Sequence, residues 1–168
     1  GVPPEVLNKA WEEAQQYNAD LGDIDPGDAW TSADDESSPA YQRYLNYLSV
    51  LNETEAMGRI VLPSIKSDLP IFHGTSDRVL ARGVGHLYGT DLPVGAPGEL
   101  GEDDTIPPAP PEGRLSALSA HTGIQNATLW DNLNQIKKGD PVYVAAAGEK
   151  LKYEVRDIEI VTPDKTRD

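Results

Sequence analysis

Between Gly58 and Gly95 the chain is cut into short apolar runs by proline and glycine, and this constrains its fold more than any other stretch. Arg59–Leu62 and Leu69–Phe72 are punctuated by Pro63 and Pro70, and Gly74 closes the second run. Such runs are too brief for helices and read as strands. Gly83, Gly85, Gly89 and Gly95 follow closely, which suits tight turns and strands whose backbones nearly touch. His73 and His86 stand beside these glycines and read as hydrogen-bonded structural histidines.

The segment before this region is helical in pattern. Residues 3–21 predict an amphipathic helix: Pro3 and Pro4 suit its first turn, and Leu7, Ala10, Ala14, Tyr17 and Leu21 share a face. A second helix opens with Ser38 as N-cap and Pro39 at its first position, with Tyr41, Tyr44, Leu45, Leu48 and Leu51 as its apolar face. Between them, residues 22–37 (GDIDPGDAWTSADDES) are acidic with a single large ring, Trp30. Composition alone describes a solvated loop. Trp30 is the exception, because an indole is costly to leave in water and is expected to dock.

The later region centres on Leu115–Leu133 (LSALSAHTGIQNATLWDNL). It predicts a strand ending at His121, a polar turn, and a helix capped by Thr128, with Asp131 favouring its positive end and Leu129, Leu133 and Ile136 forming its buried face. A histidine held at a strand mouth is a candidate proton donor. Lys137, Lys138 and Gly139 are helix stop signals. Val142–Val144 predicts a strand, Gly148 a turn, and Leu151, Tyr153 and Val155 a second strand. The alternation resumes out of phase at Ile158 and Ile160, which predicts a bulge near Arg156–Asp157. Residues 95–114 are rich in proline, glycine and acid and predict an exposed loop. The acidic run Glu102–Asp104 within it reads as a solvated cluster.

Composition removes several function classes. At 168 residues the chain has room for one ordinary core. A formal charge of −14 opposes nucleic acid and anionic membrane surfaces as ligands. There is no cysteine, hence no disulfide and no thiolate metal site. HExxH is absent and His73, His86 and His121 are widely spaced, so neither a zinc site nor another cofactor is expected. Mean hydropathy is −0.48, no apolar run approaches the ~18 residues of a membrane span, and no signal peptide opens the chain.

Several motifs together resemble one family. YNADL (Tyr17–Leu21), MGRIVLPSI (Met57–Ile65), LPIFHGTS (Leu69–Ser76), GVGHLYGTDLPVG (Gly83–Gly95) and SAHTGI (Ser119–Ile124) stand in the order seen in class C, pilin-polymerising sortases. LWDNLNQIKKGDPVYV and GEKLKYEV extend the likeness, which covers most of residues 11–163. The resemblance implies a mostly-β chain: a closed, eight-stranded sortase β-barrel with N-terminal helices and a lid loop. Residues 1–57 would hold the helices and lid (about 22–37), and residues 58–168 the barrel with its inserted loop 95–114.

The implied activity is transpeptidation on the outer face of a Gram-positive membrane, by a membrane-anchored protein of which this is a soluble ectodomain. A cysteine thiolate cleaves an LPxTG-like sorting signal of a pilin subunit, an arginine stabilises the oxyanion, and a histidine serves as acid–base. The acceptor is a pilin lysine, or water. His121 matches the family histidine, although Ala120 and Thr122 replace the usual glycine and basic residue. Asp28 and Trp30 match the lid's Asp-Pro-aromatic tripeptide with Ala29 in the place of proline; Asp25, before Pro26, is the second choice for the lid acid.

The family's cysteine and arginine lie downstream of the proline matching Pro163. The expectation is therefore that these 168 residues are one piece of a longer or nicked protein, with Cys and Arg on a C-terminal segment that acts as partner. Without its last strands the barrel would stay open and prone to aggregate. Two other readings remain: a non-catalytic surface module that binds peptides or proteins, which the missing cysteine supports, and a housekeeping cell-wall-anchoring sortase, against which the lid argues.

Overall fold

The computed structural model describes residues 1–22, 38–95, 115–121 and 132–160. The lid residues Asp25, Asp28 and Trp30, loop residues 96–114, and Thr128, Leu129 and Asp131 lie outside the described residues.

Helix α1 (Pro4–Asp20) begins behind Pro3, with proline in its first turn. Helix α2 (Pro39–Ser49) begins where Ser38 Oγ accepts the Tyr41 N–H at 3.1 Å, satisfying one of the donors a helix start leaves unpaired. The expected face of α1 turns to the core, joined by Trp11 and Asn18, whereas the expected face of α2 departs at Leu45 and omits Tyr47. In α1 the buried residues are Ala10, Trp11, Ala14 and Asn18. Asn18 turns inward because its amide stitches Leu92, donating to the carbonyl at 3.0 Å and accepting the N–H at 2.7 Å. In α2 the buried residue is Tyr47, whereas Leu45 is 40% exposed. The Tyr47 hydroxyl finds polar partners inside, so the whole ring can be buried without orphaning an oxygen.

Strands β1 (Gly58–Leu62), β2 (Ser67–His73), β3 (Val84–His86), β4 (Leu118–Ser119), β5 (Pro141–Ala146) and β6 (Glu149–Glu154) form one sheet in the order β4-β3-β2-β1-β5-β6. Every pairing is antiparallel except β2–β3. The parallel step is made by the one-turn helix α3 (Asp77–Leu80), capped by Ser76 Oγ. The sheet curls into a half-barrel, and among the described residues β4 and β6 are its two free edges.

The core lies between one side of the sheet and the two helices. Ala10, Trp11, Ala14 and Tyr47 from the helices meet Ile60, Ile71, Val84, Val144 and Leu151 from the strands, with Leu92 and Val94 filling one end. Each fully buried aliphatic side chain of this kind contributes about 1.5–3 kcal/mol.

Two further expectations are corrected. The start of the helix expected from Thr128 lies outside the described residues; its described end is a 3-10 turn, Leu133–Gln135, with Leu133 37% exposed rather than on a buried face and Ile136 half-buried. The chain must reverse here: Gly139 takes a left-handed φ of 92°, and Asp140 Oδ2 accepts the Lys137 N–H at 2.9 Å. The bulge near Arg156–Asp157 is not formed either. β6 ends at Glu154, Val155 pairs with Gly139 and Asp140, and Ile158 and Ile160 stand 51% and 94% exposed. With the partner strand beginning at Pro141, the reversal before it ends the β5–β6 ladder there.

Candidate functional site

His121 lies two residues beyond β4, which is one edge of the half-barrel among the described residues, and is half-buried. The placement agrees with the expectation of a histidine at a strand end. What holds it there is β3, whose three residues are all buried. Gly85 opposes Ser119 and His86 opposes Leu118. A Cβ on Gly85 would overlap the Gly74 carbonyl oxygen, so only glycine lets the β2–β3 turn close this tightly. Ala120, between β4 and His121, packs on the core.

His86 is completely buried and makes contacts at both ring nitrogens. Its Nε2 is 2.6 Å from the Asp91 carbonyl oxygen and 3.1 Å from Thr90 Oγ1. A carbonyl can only accept, so Nε2 carries the proton. Nδ1 of the neutral ring then accepts from the Tyr47 hydroxyl at 2.7 Å. The same hydroxyl accepts the Gly74 N–H at 3.1 Å and lies 3.2 Å from the His86 carbonyl. This is the structural histidine that the sequence suggests, wired to a helix.

His73 also serves structure. Its Nε2–H donates to the Val50 carbonyl at 2.7 Å and its ring packs edge-on against Tyr47, centroids 5.0 Å apart. Burial holds its pKa below the ordinary histidine value, outweighing the hydrogen bond to Val50.

A cavity of about 140 Å³ opens elsewhere, between the end of α1, the middle of α2 and the turn after β3. Tyr17, Asp20, Leu21, Arg43, Asn46 and Tyr88 line it, and His121 does not. The Tyr17 hydroxyl is buried here without a hydrogen-bond partner. Desolvation, followed by the charges of Tyr88 and Asp91, pushes its pKa far above the usual phenol value. Among the described residues no group of histidines and carboxylates could hold a metal ion, and no helix is long and apolar enough to cross a membrane.

Sequence reasoning therefore located His121, His73 and His86 but missed Tyr47, Asn18 and Thr90. Asn18 and Thr90 were within reach: each lies in one of the family-like motifs, YNADL and GVGHLYGTDLPVG. Tyr47 lies in none, and only its three-residue step from Tyr44 hints at a shared face.

Residues 103–167 match the sortase domain model. A curated relative, sortase A of Bacillus anthracis, is 24% identical over 115 residues, and the chain spans 46% of its length. Solved structures extend the likeness over nearly the whole chain. Sortase C-1 from Actinomyces oris is 43% identical, with a TM-score of 0.72 across 96% of this chain and 80% of that one. Sortase A from Corynebacterium diphtheriae is 37% identical, with a TM-score of 0.75 across 98% and 70%. Sortase C from Streptococcus pneumoniae is 30% identical, with a TM-score of 0.65 across 91% and 66%. The open sheet, the buried β3 and these identities together give one conclusion: the chain belongs to the sortase family, among its class C members.

Proposed function

We propose that these residues form the histidine-bearing part of a pilin-joining transpeptidase. The supporting observation is the 43% identity to Actinomyces oris sortase C-1 over 96% of the chain, joined to the position of His121 after β4. The description of the pneumococcal relative speaks of pilin substrate specificity, which favours pilin subunits over other cell-wall proteins as substrate.

In this reading a cysteine thiolate attacks the threonine carbonyl carbon of an LPxTG-like signal. An arginine holds the oxyanion. His121, as imidazolium, gives its proton to the departing glycine amine, leaving a thioacyl enzyme and neutral imidazole. A pilin lysine amine then attacks the thioester, His121 takes its proton, and the thiolate departs. The 168 residues contain no cysteine, so the nucleophile comes from polypeptide outside them, and the arginine with it. Residues 58–168 serve as the scaffold and residues 1–57 as its cover. Asp28 and Trp30, or Asp25 in place of Asp28, occupy the peptide's place until it displaces them. The reaction takes place on the outer face of the cell membrane.

The test uses the intact protein, meaning these residues together with the cysteine-bearing segment, and a fluorogenic LPxTG-like peptide. His121→Ala should lower kcat by about 10²–10⁴-fold, and a lysine acceptor should compete with water. A His121→Ala variant within threefold of wild type would overturn the assignment. Trp30→Ala should speed labelling of the thiol by a cysteine reagent; an unchanged rate removes the lid. The absence of cysteine also favours a second reading, a binding module without catalysis. Peptide binding with no cleavage by the intact protein would decide for it.

A further inference from the structure

The His86 network reaches the strand that carries His121, and it does so through one hydroxyl. Thr90 Oγ1 donates to the Leu87 carbonyl at 2.8 Å and accepts the Ala117 N–H at 3.1 Å. Ala117 lies just ahead of β4, four residues before His121. Around this bond the backbone pairs regularly: Leu87 N–H donates to Ala117 O at 2.9 Å and Asp91 N–H to Leu115 O at 2.8 Å. The turn at residues 87–90 carries the β3 backbone away from Ala117, and the Thr90 hydroxyl supplies the acceptor that a continuing strand would have offered. His86 fixes that hydroxyl by holding Thr90 and Asp91 from the same nitrogen, and Tyr47 fixes His86 from α2.

We infer that Thr90 is a positioning residue for His121, setting the height and direction of β4 through the Ala117 amide. This rests on His121 being the acid–base of the proposed reaction. With only two residues, β4 has little pairing of its own to define its path. A side-chain hydroxyl in a fully hydrogen-bonded buried network can therefore decide where the imidazole points. A displacement of about 1 Å at a reacting group costs up to 10²-fold in rate.

The experiment compares Thr90→Val, which keeps the shape and loses the hydroxyl, with Thr90→Ser, which keeps the hydroxyl, in the intact protein. The His121 ring proton is assignable by NMR through loss of its signal in His121→Ala. Thr90→Val should move the His121 chemical shift, expose the Ala117 amide to hydrogen exchange, and lower kcat about tenfold with KM within twofold. Thr90→Ser should restore all of these. If Thr90→Val does not fold, Thr90→Ala takes its place with the same expected result.

A folded variant without the hydroxyl, with the His121 resonance and kcat unchanged, overturns the inference. So does Thr90→Ser behaving like Thr90→Val. If His121→Ala keeps its activity while Thr90→Val still displaces the His121 resonance, the positioning stands and the catalytic reading fails, so the two are separable.

Discussion

Removing the hydroxyl of Tyr47 measures how much the buried polar hub contributes, and the structure supplies the magnitude. Tyr47→Phe keeps the ring and its packing against His73, Tyr17 and Tyr88. The Gly74 N–H loses one acceptor but keeps the His86 carbonyl at 2.9 Å, so it is not orphaned. His86 Nδ1 loses its 2.7 Å contact inside a completely buried ring. The cost is that of removing one partner from a buried polar group, about 1–3 kcal/mol. For a protein of this size that lowers Tm by about 2–4 °C per kcal/mol.

Urea unfolding of the intact protein followed by far-UV circular dichroism reads the change, with Tyr143→Phe as control. Tyr143 lies on β5 with its ring beneath the Lys150 ammonium at 4.6 Å, a contact that survives the substitution, and the control should stay within about 0.5 kcal/mol of wild type. A Tyr47→Phe variant equally close to wild type would refute the reasoning, because it would mean that the 2.7 Å contact carries no net stability.

Two other perturbations follow from the same geometry. Gly85→Ala sets a Cβ against the Gly74 carbonyl, a backbone group that cannot swing away; thermal melts should show a loss of more than about 3 kcal/mol, and a near-normal melt would mean the β2–β3 turn can widen. His73 has its pKa depressed by burial, so the unfolded chain binds the proton more readily than the folded one. Its contribution to stability is complete above the unfolded value near 6.5 and is lost as pH falls toward the lower folded value. Wild type minus His73→Gln stability, measured by urea titration from pH 7.5 to 4.5, should therefore shrink with acidification, and a flat difference would contradict the assignment.

Local signals were legible where they act through the backbone. Ser38 followed by Pro39 marked a helix start, Gly148 marked the hairpin turn, and the proline-punctuated runs after Gly58 marked β1 and β2. Facing was harder to read. A tyrosine whose oxygen has partners inside is indistinguishable by periodicity from one on the surface, so Leu45 took the place of Tyr47 in the expected face. Ile158 and Ile160 misled for the converse reason: apolar alternation reports a strand's potential, whereas pairing depends on a neighbour. The surroundings of His121 divided the same way. His121 was marked by its motif, but Thr90 acts on an amide distant in sequence, and no local pattern encodes that.

The order of strands in the half-barrel also bears on how the chain assembles. β1 finds β2 across a single tight turn and α3 brings β3 alongside soon after, whereas Arg59 must find Ala145 from the far side of the chain. Closing that long loop carries an entropic cost before any contact repays it. The β5–β6 hairpin, closed by Gly148 and paired from Pro141 to Glu154, can form beforehand and dock as a unit. Arrival of that ribbon at β1 is then the late event of folding, and substitutions in β5 should act mainly on the unfolding rate while those in β1 and β2 slow refolding.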